Sequence, residues 1–214
     1  MAKEGIPFIA IFLIPAALFL FLQWWVAAVL CLGLAAFMAF FFRDPHRDCP
    51  TDDTLVISPA DGRVVMLTPV DPDKKDSPVQ VSIFLSPMNV HINRSPIAGE
   101  IVDFAYKQGA FHVASRDIAS IENEQNVVTV KGRYFTIVFR QIAGLLARRV
   151  VFWKKKGDHV GMGERIGLMK FSSRMDVLLP SEVDVTVNRG DVVVGGITII
   201  GRLKQKPVEE GNST

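Results

Sequence analysis

A long apolar stretch near the start of the chain constrains its fold more than any other feature. Between Pro7 and Phe42, Gln23 is the only strongly polar side chain. As one helix this stretch would be about 54 Å long, whereas the hydrocarbon core of a bilayer is about 30 Å thick. We therefore expect it to fold back near Gln23-Trp24-Trp25 into two helices, with the paired tryptophans at a membrane–water interface.

This helical hairpin is predicted to anchor the protein in the cell membrane. Each half is about 16–17 residues long, at the short limit for spanning, so the hairpin either crosses the bilayer or enters it as a wedge. Lys3 precedes the stretch, and Arg43 and Arg47 follow it. Because a hairpin brings both flanks to one side, the positive-inside tendency predicts that the rest of the chain lies on the cytoplasmic face. A cleaved signal peptide fits poorly, because the run is too long and no small-residue cleavage site follows.

The remainder of the chain has the pattern of an antiparallel β-rich domain. Short β-rich runs follow one another, separated by turn signals such as DPDKKDSP, KKKGD and NRGD. The predicted strands are Leu55–Ser58, Arg63–Leu67, Val79–Ser86, Glu100–Tyr106, Asn126–Lys131, Tyr134–Arg140, Arg148–Trp153, Val183–Val187 and Asp191–Arg202. Helical patterning is scarce, and the two short candidates are Ser115–Asn123 and Gln141–Arg148.

The fold class expected is therefore mainly β, with few short helices, preceded by a hydrophobic helical hairpin. The domain division that follows is an anchoring hairpin at 1–42, a polar, proline-bearing linker at 43–54, a β-rich domain at 55–203 and a flexible polar tail at 204–214.

Composition and motifs exclude several classes of function. Charged residues make up 21% of the chain and the net charge is +2. This balance does not indicate the concentrated basic face that nucleic-acid-binding proteins usually have. Cys31 and Cys49 are too few for a disulfide framework, and no His/Cys/Asp cluster has the spacing of metal ligands. The segment GMGERIG at 161–167 has no strand–helix unit around it, and neither a phosphate-binding P-loop nor a G-x-S-x-G elbow is present.

The histidines offer few candidates for acid–base chemistry. His46 lies in the linker, His159 in a lysine-rich turn, and His112 after a Gly-Ala-Phe segment. His91 differs in context, because it lies in FLSPMNVHINRSP, between two prolines and just after an apolar run. A histidine in such a loop is more often a structural hydrogen-bonding group than a catalyst, so the pattern alone leaves both roles open.

Two further segments have a structural and a functional interpretation. Asp61 in VISPADGRVV is first of all part of an Asp-Gly turn, but an aspartate is also the group that orients a histidine base. In RIGLMKFSSRMDVLLP, Ser172 and Ser173 interrupt an apolar stretch. They either mark a kink between two strands or place a serine hydroxyl where it can attack the preceding carbonyl.

Taken in order along the chain, these segments resemble the phosphatidylserine decarboxylase family in its short, membrane-hairpin form. The resemblance rests on PFIAIF and FFRDP around the anchor, then SPADGRV, FLSPMNVHINRSP, ENEQN, QIAGLLARR and GERIGLMKFSSRMDVLLP. It implies decarboxylation of phosphatidylserine to phosphatidylethanolamine and CO₂. The cofactor would be a pyruvoyl group made from the chain itself, without a metal or pyridoxal phosphate.

The resemblance also assigns roles to single residues. Ser173 matches the serine that becomes the pyruvoyl group, whose ketone would form a Schiff base with the substrate amine. Self-cleavage would break the Ser172–Ser173 bond, and the resulting chains 1–172 and 173–214 would stay associated. His91 would act as base and acid, and Asp61 would orient it. The substrate partner would be phosphatidylserine in the membrane, and a homodimer is compatible with the resemblance.

Lys170 and Arg174 flank the expected cleavage site. They are candidates for binding the substrate phosphate, and solvated strand ends are the alternative interpretation.

The chain departs from the family pattern at three positions. Ser172 stands where the family has glycine, which tolerates strained backbone angles that serine resists. Asn89 and Arg94 replace an aspartate and a second histidine that some relatives carry.

Two alternative functions follow. The first is a family member whose processing fails because of Ser172. The second is a non-catalytic membrane adaptor with a lipoyl- or biotinyl-like β domain, suggested by the rhythm of NRGDVVVGGITIIG. That segment lacks a lysine at a tight hairpin tip, which weakens the adaptor interpretation.

Overall fold

The N-terminal apolar stretch forms two helices joined by a tight turn. The computed structural model describes residues 1–109, 123–144, 150–170 and 173–204. After a 3-10 turn at Lys3–Gly5, helix α1 spans Ile6–Phe21 and helix α2 spans Trp25–Phe41. Gln23 makes the turn with a φ of 58°, in the left-handed region. The reversal therefore lies at the predicted position.

Both helices expose large apolar side chains to their surroundings. Among the exposed residues are Ile14, Trp24, Trp25, Val26 and Val29. By length and composition alone, the helical segment Lys3–Phe21 could cross a membrane, whereas α2 is shorter. An apolar surface of this kind marks an interaction with a membrane or another protein. The apolar N-terminal helix is consistent with membrane association.

The two ends of the hairpin are tied to each other and to the β-rich part. The backbone N–H of Ala2 donates to the carbonyl of Phe42 at 2.9 Å. Trp153 donates from its indole N–H to the carboxylate of Glu4 at 2.8 Å. One apolar cluster joins anchor and strand residues, namely Ala2, Met38, Phe41, Phe42, Val90, Ile92 and Leu168. The anchor is therefore docked on the β-rich part.

The rest of the described chain consists of short antiparallel strands. Their bounds in chain order are β1 (Leu55–Ile57), β2 (Gly62–Pro69), β3 (Val79–Leu85), β4 (Ile92–Arg94), β5 (Gly99–Lys107), β6 (Gln125–Lys131), β7 (Thr136–Ile142), β8 (Val150–Phe152), β9 (His159–Val160), β10 (Arg165–Met169), β11 (Ser173–Leu179), β12 (Val183–Val185), β13 (Val192–Val193) and β14 (Ile199–Leu203). The expected mainly β fold, preceded by a helical hairpin, is confirmed.

Within the described residues the strands build one large sheet and two small ones. The large sheet has the order β13-β2-β3-β11-β7-β6-β5-β9. The small sheets have the orders β1-β14-β12 and β4-β10-β8. Strand β11 lies inside the large sheet, paired on one side with β3 and on the other with β7. The segment from 165 to 179 therefore passes from a small sheet into the middle of the large one.

The main core lies against one face of the large sheet. Side chains alternate between the two faces of a strand, so Ser173, Met175 and Val177 of β11 share a face. Met175 and Val177 belong to the core cluster, together with Val81, Ile83 and Leu85 of β3, Phe139 of β7, and Ile166 and Met169 of β10. Arg174 and Asp176 lie on the opposite face of β11. Ser173 thus begins a strand on its core-facing side.

Some predicted elements are wrong. The run Asp191–Arg202 is not one strand but two, β13 and β14, because Gly196 adopts a φ of 82° between them. The helix predicted at Gln141–Arg148 is wrong at its start, since Gln141 and Ile142 continue β7 in register with β11. The remainder of that segment, most of Ser115–Asn123 and most of the tail lie outside the described residues. The domain boundaries stay a prediction.

Candidate active site

Ser173 is a buried serine at the first position of β11. It lies opposite Leu85 of β3, and its relative exposure is 0%. Among the residues that the structure describes, its hydroxyl Oγ has no hydrogen-bond partner. A buried polar group without a partner costs about 1–3 kcal/mol, so such a group in a folded protein indicates a function. The serine expected to be the nucleophile is therefore buried with its hydroxyl oxygen unpaired.

His91 is also buried, and only one of its ring nitrogens is engaged. Nδ1 lies 2.9 Å from the carbonyl oxygen of Asn89, so this nitrogen carries the proton and donates. Nε2 is then an acceptor, and it has no hydrogen-bond partner in the described part of the chain. The imidazole ring packs on Phe41, with 3.9 Å between the ring centroids. This arrangement leaves a lone pair available to take up a proton.

The surroundings of His91 keep its imidazole neutral. Burial lowers the pKa of His91 from 6.5 to about 4, with a smaller lowering from the positive charge of Arg43. The hydrogen bond to Asn89 opposes this shift. Because a base must be unprotonated before it acts, His91 is in its reactive form at neutral pH.

A third unpaired polar atom belongs to Asn93. Its side chain is buried, and its Oδ1 accepts from Gln141 Nε2 at 2.8 Å. Its Nδ2 has no hydrogen-bond partner within the ranges that the structure describes. Gln141 Oε1 in turn accepts from Asn126 Nδ2 at 3.2 Å. The three amides form one directed chain that ends in a free N–H donor on Asn93.

The fold gathers these groups where the small sheet meets the large one. The N–H of Met169 donates to the carbonyl of His91 at 3.2 Å, only a few residues before Ser173 in the chain. Gln141 of β7 lies opposite Met175 of β11, so its side chain is on the same sheet face as Ser173. Gln141 is the diagonal neighbour of Ser173 across the two strands. His91 and Asn93 are two residues apart in an extended segment, so their side chains leave it on the same side.

Asp61 does not contact His91 directly. Its carboxylate accepts from Arg47 at 3.0 Å and from the backbone N–H of Gly195 at 2.8 Å. The contact at His91 Nδ1 comes instead from the carbonyl of Asn89. An influence of Asp61 on His91 is therefore indirect, and its orienting role stays a prediction.

Arg43 carries a positive charge close to both Asp61 and His91. Burial lowers the pKa of Arg43, the negative charge of Asp61 raises it, and the positive charge of Arg47 lowers it. The charge of Arg43 is one of the causes that lower the pKa of His91.

Comparison with known proteins shows the family of this chain. The family model described as "Phosphatidylserine decarboxylase" matches residues 34–201. The chain is 48% identical over 202 residues to a "Phosphatidylserine decarboxylase proenzyme" of Solibacter usitatus (strain Ellin6076), covering 94% of this chain and 96% of the relative. The chain belongs to the phosphatidylserine decarboxylase family.

Other relatives carry the same name and have similar coverage. The proenzyme of Symbiobacterium thermophilum is 45% identical over 210 residues, 96% of each chain. That of Syntrophotalea carbinolica is 42% identical over 209 residues, covering 95% of this chain and 97% of the relative. The expected enzyme class, a phosphatidylserine decarboxylase, is thereby confirmed.

The candidates for phosphate binding in this decarboxylase occupy different surroundings. Arg174 has 0% exposure, and its guanidinium donates to Asp176 Oδ1 at 2.6 Å and to Ser82 Oγ at 2.7 Å. The alternative interpretation of Arg174 as a solvated strand end is therefore wrong, because the alternation of β11 turns it into a buried polar layer, and its role toward the substrate stays a prediction. Lys170 is half-buried, with its Nζ 5.2 Å from the ring centroid of Phe8 on α1. Its role toward the substrate stays a prediction.

The departures from the family pattern also have local explanations. Asn89 accepts from the backbone N–H and the hydroxyl of Ser86, and so shapes the loop before His91. Arg94 donates to the carbonyls of Gly163 and Pro45. It therefore ties β4 to the segment that follows the anchor. Ser172 lies outside the described residues.

The remaining histidines are not part of this arrangement. His46 is exposed and lies 3.3 Å from Asp48, and His159 is an exposed residue of β9. His112 lies outside the described residues. Among the residues that the structure describes, no group of three or more His, Cys, Asp or Glu side chains is placed to hold a metal ion.

Sequence reasoning missed Phe41, Asn93, Gln141 and Asn126. Phe41 was assigned only to the anchor, because nothing in an apolar run distinguishes a ring that faces lipid from one that faces the site. Asn93 could have been found, since the segment His-Ile-Asn puts two polar side chains on one face of a strand. Gln141 was placed in a predicted helix, which hid its position on the core face.

Proposed function

We propose that this protein is a membrane-bound, pyruvoyl-dependent enzyme. It would decarboxylate phosphatidylserine to phosphatidylethanolamine after cutting itself between Ser172 and Ser173. One observation carries the proposal: within the described part of the chain, the hydroxyl of Ser173 and Nε2 of His91 are both buried and both without a hydrogen-bond partner. Met169, four residues before Ser173, is hydrogen-bonded to the backbone of His91. Family membership supplies the substrate class.

Self-cleavage begins with a proton transfer between these two side chains. His91 Nε2 takes the hydroxyl proton of Ser173, and Oγ attacks the carbonyl carbon bonded to Ser173 N. The carbon–nitrogen bond then breaks, the nitrogen takes the proton back from His91, and an ester joins Oγ to the preceding residue.

Elimination and hydrolysis complete the maturation. Loss of the Cα proton of residue 173 breaks the ester bond and releases the carboxylate that ends chain 1–172. The dehydroalanine at position 173 then tautomerises, and water hydrolyses it to a pyruvoyl group with release of ammonia. The second chain, 173–214, begins at this group.

The residues present fit a pyruvoyl group at position 173. The Oγ of Ser173, which must be free to attack, has no hydrogen-bond partner among the described residues. Residue 173 is also buried, so bulk water has no direct access to it. Once formed, the group supplies a carbonyl that takes up the substrate amine and an adjacent carbonyl that accepts electrons as CO₂ leaves. The neutral imidazole of His91 takes the amine proton at Nε2 and returns a proton to the substrate α-carbon.

The anchor gives the site access to a lipid substrate. The first and last residues of the hairpin pack against the strands around His91, so the site lies close to the bilayer. A two-tailed lipid is costly to move into water, since each buried CH₂ contributes about 0.8 kcal/mol. We propose that the headgroup reaches residue 173 while the tails stay in the bilayer of the cell membrane. The β-rich part would face the cytoplasm.

Mass spectrometry of the purified protein tests the proposal. The expected result is two chains, with the smaller one beginning at residue 173 and blocked to Edman degradation. Ser173→Ala should give one uncut chain without activity on phosphatidylserine vesicles. His91→Ala should also stay uncut, and normal processing of that variant would remove His91 from the maturation step.

The same experiment separates the two alternatives. A processing-deficient member of the family, impaired by Ser172, would give a single folded chain that is inactive in the wild type. A non-catalytic adaptor would also stay whole, and it would bind vesicles without consuming phosphatidylserine. A wild-type protein that cuts itself at 172/173 contradicts both.

A further inference from the structure

Asn93 carries a buried hydrogen-bond donor that no described residue accepts. Its relative exposure is 0%, and its Nδ2 has no hydrogen-bond partner within 1–109, 123–144, 150–170 and 173–204. A buried amide N–H without a partner is costly, so a fold keeps one only where something else uses it. The group that accepts a hydrogen bond from this N–H must therefore be identified.

The orientation of this amide is set by a chain of hydrogen bonds. Asn126 Nδ2 donates to Gln141 Oε1, and Gln141 Nε2 donates to Asn93 Oδ1. If the Asn93 amide were reversed, its NH₂ group would face the NH₂ group of Gln141, and both donors would lack an acceptor. With Gln141 in this orientation, Oδ1 of Asn93 faces Gln141 and Nδ2 points away from it.

Gly167 provides the space that the hydrogen bond between Gln141 and Asn93 requires. It pairs with Asn93 across β4 and β10. A Cβ atom at this position would lie 2.2 Å from the carbonyl oxygen of Val151 and 3.1 Å from Gln141 Nε2. Any larger residue would push the amide of Gln141 away from Asn93. The hydrogen bond between these two side chains therefore requires glycine at position 167.

The free donor belongs to the neighbourhood of Ser173 and His91. Gln141 is the diagonal neighbour of Ser173 on the core face of the large sheet, and Asn93 is hydrogen-bonded to the end of its side chain. Asn93 and His91 leave their strand on the same side. One junction thus contains an unpaired hydroxyl, an unpaired proton acceptor and an unpaired N–H donor.

We propose that Asn93 is a catalytic residue of self-cleavage, whose Nδ2–H donates to the carbonyl oxygen at the scissile bond as Ser173 attacks. This inference rests on the proposed function. It adds a hydrogen-bond donor to the carbonyl oxygen, which neither Ser173 nor His91 supplies. When Oγ bonds to the carbonyl carbon, the electron pair of the C=O bond moves to oxygen, which becomes negative. A fixed donor in an enclosed site stabilises that charge without reorganisation.

The amide suits this role better than a charged donor would. It brings no formal charge into the core, and it cannot protonate His91 or Ser173. The hydrogen bond to it strengthens only as the oxygen gains charge, so its stabilisation is directed to the transition state. Removal of one such donor from an enzyme typically lowers the rate by about 10²–10³-fold.

Cell-free synthesis into phosphatidylglycerol vesicles, followed by a time course on denaturing gels, tests this role. Asn93→Leu removes the donor in a side chain of similar size, and Asn93→Asp places an acceptor oxygen where the donor stood. Trypsin resistance identifies the folded fraction, and rates are compared within it. The expected result is self-cleavage slowed about 100-fold or more in whichever of the two variants folds.

Two controls make the outcome decisive. Asn188→Leu removes an amide from an exposed turn and should cleave at the wild-type rate. Hydroxylamine, which breaks esters, should cut the wild-type intermediate at 172/173 and leave the Asn93 variants whole. A folded Asn93 variant that cleaves within about threefold of the wild-type rate overturns the inference. Failure of the wild type itself to cleave overturns the proposed function instead.

Discussion

The aromatic ring of Phe41 lies on the imidazole of His91, with 3.9 Å between the ring centroids and 30° between the ring planes. Phe41 is the last residue of helix α2, whereas His91 precedes strand β4. The N-terminal helical hairpin therefore forms one wall around the candidate base. Because this wall excludes water, the anchor contributes to the burial that keeps the imidazole neutral.

Phe41→Leu should slow self-cleavage while leaving membrane attachment intact. Leucine keeps an apolar side chain but removes a ring contact that contributes about 0.5–1.5 kcal/mol. If that energy holds His91 in place, the rate falls by about two- to tenfold. A time course of cleavage in vesicles measures it.

The matched control is Phe21→Leu, since Phe21 on α1 is 85% exposed. It should cleave at the wild-type rate. If the two substitutions slowed self-cleavage equally, the slowing would come from general helix packing and not from the contact between Phe41 and His91.

Self-cleavage should lose rate in acid only at unusually low pH. Burial, assisted by the charge of Arg43, lowers the pKa of His91 to about 4, and only the neutral imidazole accepts the serine proton. The first-order rate of cleavage should therefore be nearly constant from pH 5 to 8 and fall about tenfold per pH unit below about 4. A fall already centred near pH 6.5 would contradict a buried, depressed His91.

The same pKa makes the uncut protein less stable in mild acid. Between about pH 6.5 and pH 4 the unfolded chain binds a proton at His91 that the folded chain does not. The free energy of unfolding therefore decreases as pH falls through this window, by about 3 kcal/mol at most. Chemical denaturation of Ser173→Ala and of Ser173→Ala/His91→Asn across this range isolates the contribution, which should disappear in the double variant.

Arg174 should matter for folding rather than for substrate binding. Its side chain and that of Asp176 are both fully buried and hydrogen-bonded to each other. Removing one member of such a pair typically costs about 3–5 kcal/mol, because the other charge is left buried. Arg174→Leu should thus destabilise the uncut protein strongly, as measured by its unfolding midpoint.

The double variant Arg174→Leu/Asp176→Leu distinguishes the pair from its separate members. It should be less destabilised than the sum of the two single variants, because no uncompensated charge remains. An unchanged midpoint in Arg174→Leu, together with weaker activity on phosphatidylserine, would instead restore a role in headgroup binding.

Ser172→Gly should accelerate self-cleavage. Glycine adopts left-handed backbone conformations that cost other residues about 1–2 kcal/mol, which corresponds to about five- to thirtyfold in rate. Pulse labelling followed by gel electrophoresis compares the two precursors. A slower glycine variant would indicate that the hydroxyl of Ser172 contributes to the reaction.

The two chains should stay together after the cut. Residues 173–204 supply β11, β13 and β14, which pair with β3, β7, β2 and β1 from the other side of the cleavage site. Size-exclusion chromatography in mild detergent should recover both chains in one peak, and strong denaturant should separate them. Separation without denaturant would contradict the interior position of β11.

The sequence was sufficient for the elements with a strong local pattern. The apolar stretch and its single polar break at Gln23 predicted the helical hairpin and its turn, and alternating runs predicted strands such as β3 and β5. Local segments singled out Ser173 and His91 as candidates, and the family resemblance supplied their predicted roles. These features depend on residues close together in the chain, where periodicity and turn chemistry decide.

The remaining features depend on contacts between distant parts of the chain. The side chain of Arg174 is buried because β11 lies between β3 and β7, an order that local pattern does not encode. Gln141 reaches Asn93 only because two sheets meet and Gly167 leaves room. The hydrogen bond to His91 Nδ1 comes from a backbone carbonyl, which every residue has and no motif marks.

The interior position of β11 has a consequence for the lifetime of the protein. A cofactor carried by residue 173 would be part of the sheet itself, so it could not be exchanged for a fresh copy from solution. Each molecule would have a single reactive group for its whole existence. If a side reaction reduced or aminated that group, the cell could recover the activity only by synthesising a new molecule.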